Sequence, residues 1–209
     1  MEFPQRTNMI HALPGMGADR RMYPAPWDSL PHFAARDWVR PAGEKTLKDI
    51  AASMCAAKGI RNGDVLIGAS LGGMVACEIT KIRNIRALYL VGSAISKGEV
   101  NGWLAALHPL AQVAPLDWLQ VSAGQLPTQL ADMFSQADAG FVRTMCSAIF
   151  AWEGLGDTQT KVFRLHGKHD LVIPPPAHAD LLLDGGHLIT MSQAGPCVNF
   201  IRRSVLNFS

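Results

Sequence analysis

Val65-Leu66-Ile67-Gly68-Ala69-Ser70-Leu71-Gly72-Gly73, VLIGASLGG, is a run of aliphatic residues ending on a serine fenced by residues with almost no side chain. The aliphatic part reads as a buried strand, and the LGGMVACEITKI that follows has helical spacing. Ser70 therefore falls on a tight strand-to-helix turn. Gly68 to Gly72 fit G-x-S-x-G, a pattern that chance supplies in a chain of this length roughly one time in ten. The strand before it and the helix after it are what give the pattern meaning. Small residues remove side chains that would collide where the chain folds back, and the helix start offers backbone N–H groups and the positive end of a dipole. The competing account is a Gly-rich turn with Ser70 as an incidental helix cap.

Working outward, short aliphatic runs alternate with helical spacing. Strands are expected over Met9–Leu13, Asp37–Arg40, Val65–Ile67, Ala87–Val91, Val162–Leu165 and Ala179–Leu183, and helices over Thr46–Lys58, Leu71–Lys81 and Pro196–Leu206. Thr46 reads as an N-cap and Gly59 as a stop signal. Such alternation implies parallel pairing through right-handed crossovers, an α/β fold with helices on both faces of the sheet. Neither repeats nor linkers break the chain, so residues 1–209 read as a single domain interrupted by a helical insert at about 98–154. The insert carries Trp103, Trp118 and Trp152 together with Phe134, Phe141 and Phe150, and Pro109, Pro115 and Pro127 divide it into short helices. An insertion of this kind covers the carboxyl edge of the sheet, where ligands bind, which makes Trp103 and Trp118 candidate substrate contacts. Ordinary helix packing is the competing account of these aromatics.

Composition excludes several classes. Hydrophobic residues make up 48% and charged residues 17% of the 209, an ordinary globular mixture. The net charge of +2 arises from 19 basic and 17 acidic residues scattered along the chain, without the basic stripe that a nucleic-acid partner would need. No apolar run is long enough to span a membrane, and the N-terminus lacks the pattern of a secretory signal. The four cysteines, Cys55, Cys77, Cys146 and Cys197, have no metal-type spacing. Reduced thiols in a cytoplasmic protein are expected.

A serine hydroxyl needs a base to become a nucleophile. VFRLHGKHDLVIPPP places Asp170 on a loop after a strand, and LLLDGGHLITM places His187 on a Gly-Gly turn after the next apolar run. Asp184, close to His187, and Asp157, before the strand, compete for the role of acid; Asp170 is preferred for its place after the strand in H-G-x-x-D. His166 and His169 lack a third ligand and read as loop-packing histidines. His11 reads as a brace for the loop after the first strand. Arg20 and Arg21 either meet an anionic substrate group or belong to solvated surface.

Four segments, HALPGMGADRRMY, GASLGG, HGKHDLVIP and GGHLITMSQAGPCVNFI, occur in an order that resembles the α/β-hydrolase fold over nearly the whole chain. The resemblance implies Ser70 as nucleophile, His187 as general base and acid, and Asp170 as the group that orients the imidazole. It also implies an oxyanion hole from the backbone N–H groups of Met16 and Leu71. Because the first expected strand begins close to residue 1, the two leading strands common in that family are expected to be missing, leaving a reduced, mostly parallel sheet of about six strands. The short span from Asp170 to His187 leaves room for a brief or displaced last strand only. The implied activity is cleavage of a carboxylic ester or thioester of a small substrate through an acyl-enzyme, with no metal and no cofactor. Acyl transfer and carbon–carbon bond hydrolysis use the same triad and stay open, as does a non-catalytic small-ligand receptor on this scaffold. The sequence names neither the substrate nor the oligomeric state.

Overall fold

The computed structural model describes residues 7–100 and 128–206. Six strands, β1 (Ile10–Leu13), β2 (Phe33–Ala35), β3 (Val65–Ala69), β4 (Ala87–Val91), β5 (Lys161–Gly167) and β6 (Leu181–Leu183), form one sheet in the order β2-β1-β3-β4-β5-β6. Every pairing is parallel. The helices are α1 (Leu47–Lys58), α2 (Leu71–Thr80), α3 (Thr128–Ser135), α4 (Ala139–Ala151), α5 (Ile189–Ser192) and α6 (Ala194–Leu206). No helix among the described residues is long and apolar enough to cross a membrane.

The period of two in the central strands builds two cores. Val65, Ile67, Ala69, Ala87, Tyr89 and Val91 face one side, where α6 contributes Cys197, Val198 and Ile201 and α3 contributes Leu130, Met133 and Phe134. Leu66, Leu88 and Leu90 face the other, against α1, α2 and residues Phe141, Met145 and Ile149 of α4. Both faces of β3 and β4 are covered, which is why their sequences are nearly continuous aliphatic runs. The two described helices of the insert thus join opposite cores. Residues 101–127, with Trp103 and Trp118, lie outside the described residues.

Helix α1 starts where expected, on a reciprocal capping box between Thr46 and Asp49, and stops at Gly59 in the left-handed region at φ 66°. The second strand, however, is Phe33–Ala35 and not Asp37–Arg40. Register decides this: Ile10 pairs with Phe33 and Ala12 with Ala35. Residues 37–40 have already left the sheet. Asp37 accepts a hydrogen bond from the Arg20 backbone N–H at 3.0 Å, and the Trp38 indole donates to the Gly15 carbonyl at 3.1 Å. The last strand is brief, pairing only Leu165, His166 and Gly167 with Leu181, Leu182 and Leu183.

Candidate active site

Ser70 links β3 to α2 with φ 50° and ψ −121°, a left-handed φ that a residue with a side chain adopts only under local constraint. That constraint comes from tight packing of three glycines. A Cβ on Gly68 would lie 2.4 Å from the Gly73 Cα, and one on Gly73 would lie 2.3 Å from the Ser93 hydroxyl. A Cβ on Gly72 would lie 2.4 Å from the carbonyl oxygens of both Leu13 and Pro14. The elbow is therefore pressed directly against the loop that follows β1. Ser70 donates its backbone N–H to the Val91 carbonyl at 3.1 Å, and its own carbonyl accepts from the Ser93 hydroxyl at 2.7 Å.

The loop after β1 is braced from several sides. Tyr23 donates its hydroxyl to the Leu13 carbonyl at 2.6 Å, and the Gly15 carbonyl accepts from Ala18 N–H as well as from Trp38. Gly17, at φ 69°, lies against the Phe134 ring of α3, so closely that a Cβ would sit 2.4 Å from a ring carbon. Arg21 closes the same contact with charge: it forks onto Asp19 and reaches Asp132 of α3 at 2.6 Å. Arg20 pairs with Asp37 at the surface. Both arginines thus have acidic partners within the chain, and Arg21 ties the insert to the loop.

Asp170 and His187 come together after β5 and β6. His187 Nδ1 donates to Asp170 Oδ2 at 2.8 Å, which leaves Nε2 as the ring nitrogen turned away from the acid. The other carboxylate oxygen, Oδ1, accepts the backbone N–H groups of Val172 and Ile173, each at 2.9 Å. Burial alone would push the Asp170 carboxyl up, but the hydrogen bonds from His166, His187 and the Ile173 N–H outweigh it and hold the group well below the usual carboxylate range. The loops that carry the pair meet over Gly167, where a Cβ would lie 2.3 Å from the Gly186 carbonyl oxygen. Lys168 and His169 donate backbone N–H groups to Leu183 and Gly185 across the same seam. Of the competing acids, Asp184 pairs with His169 at the exposed surface, 2.9 Å apart, and Asp157 is exposed ahead of β5.

One cavity collects these parts. Ser70, His187, Met16 and Leu71 all line it, together with apolar side chains that include Met22, Met74, Leu130, Phe134 and Ile149. Leu71 is the first residue of α2, whose leading N–H groups have no partner within the helix. The insert contributes Leu130, Phe134 and Ile149 to the lining. Trp152, in contrast, is buried with its indole N–H donated to Glu78 at 2.8 Å, a packing role.

Three other histidines differ in kind. His11 sits between Asp64 and Arg36 (3.2 and 3.1 Å), so it ties strand ends together. His169 is at the surface. His166 is buried against Asp170, a contact that sequence spacing alone did not announce. Gly92 was likewise missed. At φ 54° it closes β4 beside the Asp170–His187 pair, and V-G-S directly after an aliphatic run was its available signal. No cluster of three metal-ligating side chains occurs among the described residues.

A model of the alpha/beta hydrolase family matches residues 7–200. Among solved structures, a thermophilic esterase from Thermogutta terrifontis, bound to malate, is 18% identical over 96% of this chain and 90% of its own, with a TM-score of 0.71. An N-acyl homoserine lactonase, AidH, in mutant form with N-hexanoyl homoserine, is 15% identical over 98% and 90%, with a TM-score of 0.74. A hydrolase from Oleispira antarctica is 15% identical over 95% and 92%, also at 0.74. At these identities the likeness is one of fold. No curated protein sequence matches the chain.

Proposed function

The chain belongs to the alpha/beta hydrolase family, and from that premise we propose that it is a serine hydrolase cleaving carboxylic ester or thioester bonds through an acyl-enzyme. The observation that carries the reading is the shared cavity of Ser70 and His187, with His187 Nδ1 bonded at 2.8 Å to a buried, ionised Asp170.

In this reading His187 Nε2 removes the Ser70 proton as the hydroxyl oxygen attacks the carbonyl carbon. Asp170 holds the ring in the Nδ1–H tautomer and stabilises the imidazolium that forms. The N–H groups of Leu71 and Met16 receive the developing oxyanion, a reading supported by the close packing of Gly72 on Leu13 and Pro14. The imidazolium then gives its proton to the leaving alcohol or thiol. Water, deprotonated by the same imidazole, releases the acid and regenerates Ser70. Every proton in the cycle passes through His187, and water is the co-reactant that completes it.

The lining also supports a substrate class. Apart from Ser70 and His187, the described lining residues are apolar or glycine. Such a wall favours an uncharged acyl group and gains about 0.8 kcal/mol per buried methylene. A lactone is a cyclic carboxylic ester and falls within the class, as do the ester substrates implied by the esterase neighbours.

The test is a fluorophosphonate probe followed by mass spectrometry, together with kcat/KM for nitrophenyl esters from acetate to dodecanoate and for an N-acyl homoserine lactone. An adduct on Ser70 and a rate rising about threefold to fourfold per methylene until the cavity fills are expected. Silence toward both probe and esters would favour the reading as a ligand receptor.

A further inference from the structure

Asp170 is held by two imidazoles. Its Oδ2 accepts from His187 Nδ1 at 2.8 Å and lies 3.2 Å from His166 Nε2. His166 is the penultimate residue of β5, fully buried, and the same Nε2 lies 2.8 Å from the Ile173 carbonyl oxygen. A backbone carbonyl only accepts, so Nε2 must carry the hydrogen that meets Ile173, with the Asp170 carboxylate 3.2 Å from the same nitrogen. The remaining ring nitrogen, Nδ1, is buried with no hydrogen-bond partner among the described residues.

Asp170 thus accepts two backbone N–H groups on Oδ1 and the His187 imidazole on Oδ2, with His166 Nε2 packed 3.2 Å from that same oxygen. A residue kept only for packing would be better aliphatic, since an imidazole with one dry nitrogen carries a desolvation cost there. We propose that His166 is a positioning residue, whose Nε2–H locks the Asp170 carboxylate in plane and competes with His187 for Oδ2. The competition matters to turnover because a carboxylate with one donor fewer pulls harder on the His187 proton. The acid limb of turnover would then move to higher pH. His166 packs on Asp170, which also holds His187, and the preceding residue on its own strand face, Arg164, is paired with Glu99 at 2.8 Å.

The inference rests on the serine-hydrolase reading and is tested on the full chain with His166→Leu, His166→Met and His166→Gln. Rates are referred to sites counted by fluorophosphonate titration, so unfolded protein does not enter them. Leu and Met, either of which suffices, should lower kcat/KM about tenfold, the effect of losing one hydrogen bond to a charged group. They should also move the acid limb of the pH–kcat/KM profile upward by about half a pH unit or more. Gln, which retains a donor, should restore both toward the wild type. An acid limb that stays put in the Leu and Met variants, or a Gln variant no better than they are, overturns the assignment. A wild-type protein that neither labels nor turns over would overturn the underlying reading instead.

Discussion

Gly92 lies directly beneath His187: a Cβ at position 92 would sit 3.0 Å from the His187 carbonyl oxygen and 3.6 Å from its Nδ1. The same atom would come within 3.4 Å of Asp170 Oδ2, and the backbone there has φ 54°. Directly after β4, Gly92 thus lets the Asp170–His187 pair settle onto the sheet. Gly92→Ala combines backbone strain with crowding and should cost about 1–3 kcal/mol of stability. It should lower kcat about tenfold or more by displacing His187. Chemical denaturation and steady-state kinetics measure the two effects, and an alanine variant with wild-type kcat would contradict the placement.

Ser70, the proposed nucleophile, sits on a strained backbone at φ 50°. Ser70→Ala should remove nearly all turnover, a loss on the order of 10⁴–10⁶-fold. Ser70→Gly should be equally inactive yet more stable than the wild type by about 1 kcal/mol, because glycine accepts φ 50° freely. Matched thermal melts decide it; a glycine variant less stable than the wild type would mean the turn is not strained.

Asp170→Asn should lower kcat by about 10⁴-fold by stabilising the wrong His187 tautomer, and Asp184→Asn, altering only a surface pair, should change it little. The folded state depresses the Asp170 carboxyl below its unfolded value of about 3.9. Its contribution to stability is therefore complete above that pH and is lost as the pH falls toward the depressed value. Between pH 5 and pH 2, roughly, the wild type should lose stability more steeply than Asp170→Asn. Parallel denaturation curves across that window would remove Asp170 from the set of strongly held carboxylates.

Gly17 and Phe134 are separated along the chain but touch at the cavity wall. Gly17→Ala should push α3 off the loop that carries Met16, lowering kcat/KM by roughly 10–100-fold. Phe134→Ala in the same protein should recover part of the loss, since the clash is with the ring itself. A double-mutant cycle measures the coupling, and strictly additive effects would show that the two residues act separately.

Burial pushes the Cys77 and Cys197 thiols up to about 12, so both should resist thiol reagents in the folded protein. Cys146 is partly exposed and should label first. Mass spectrometry after brief alkylation checks the order; early modification of Cys77 would place it outside the core.

The residues proposed for chemistry were legible because each sits in a local pattern: a serine between small residues after a strand, an aspartate after H-G, a histidine after Gly-Gly. What supports them was not, because it is assembled across the chain. Phe134 seats on Gly17, Arg21 finds Asp132, and His166 reaches Asp170 only once β5 has turned into its loop. The misplaced second strand has the same origin. Trp38 and Val39 look like a strand from composition, yet the register of β1 takes Phe33–Ala35, freeing Trp38 to hold the Gly15 carbonyl.

The parts of the site also divide cleanly at the insert. Residues 7–100 hold Ser70, Met16 and Leu71, and residues 128–206 hold Asp170 and His187; β4 and β5 form the seam, in register from Ala87 with Lys161 to Val91 with Leu165. Neither half contains a complete set, and both carry a strand that the other must pair. The chain is thus suited to fragment complementation: two polypeptides, parted between Val100 and Thr128, would be silent apart and would regain hydrolase turnover only by zipping β4 to β5, so that catalysis reports their reunion.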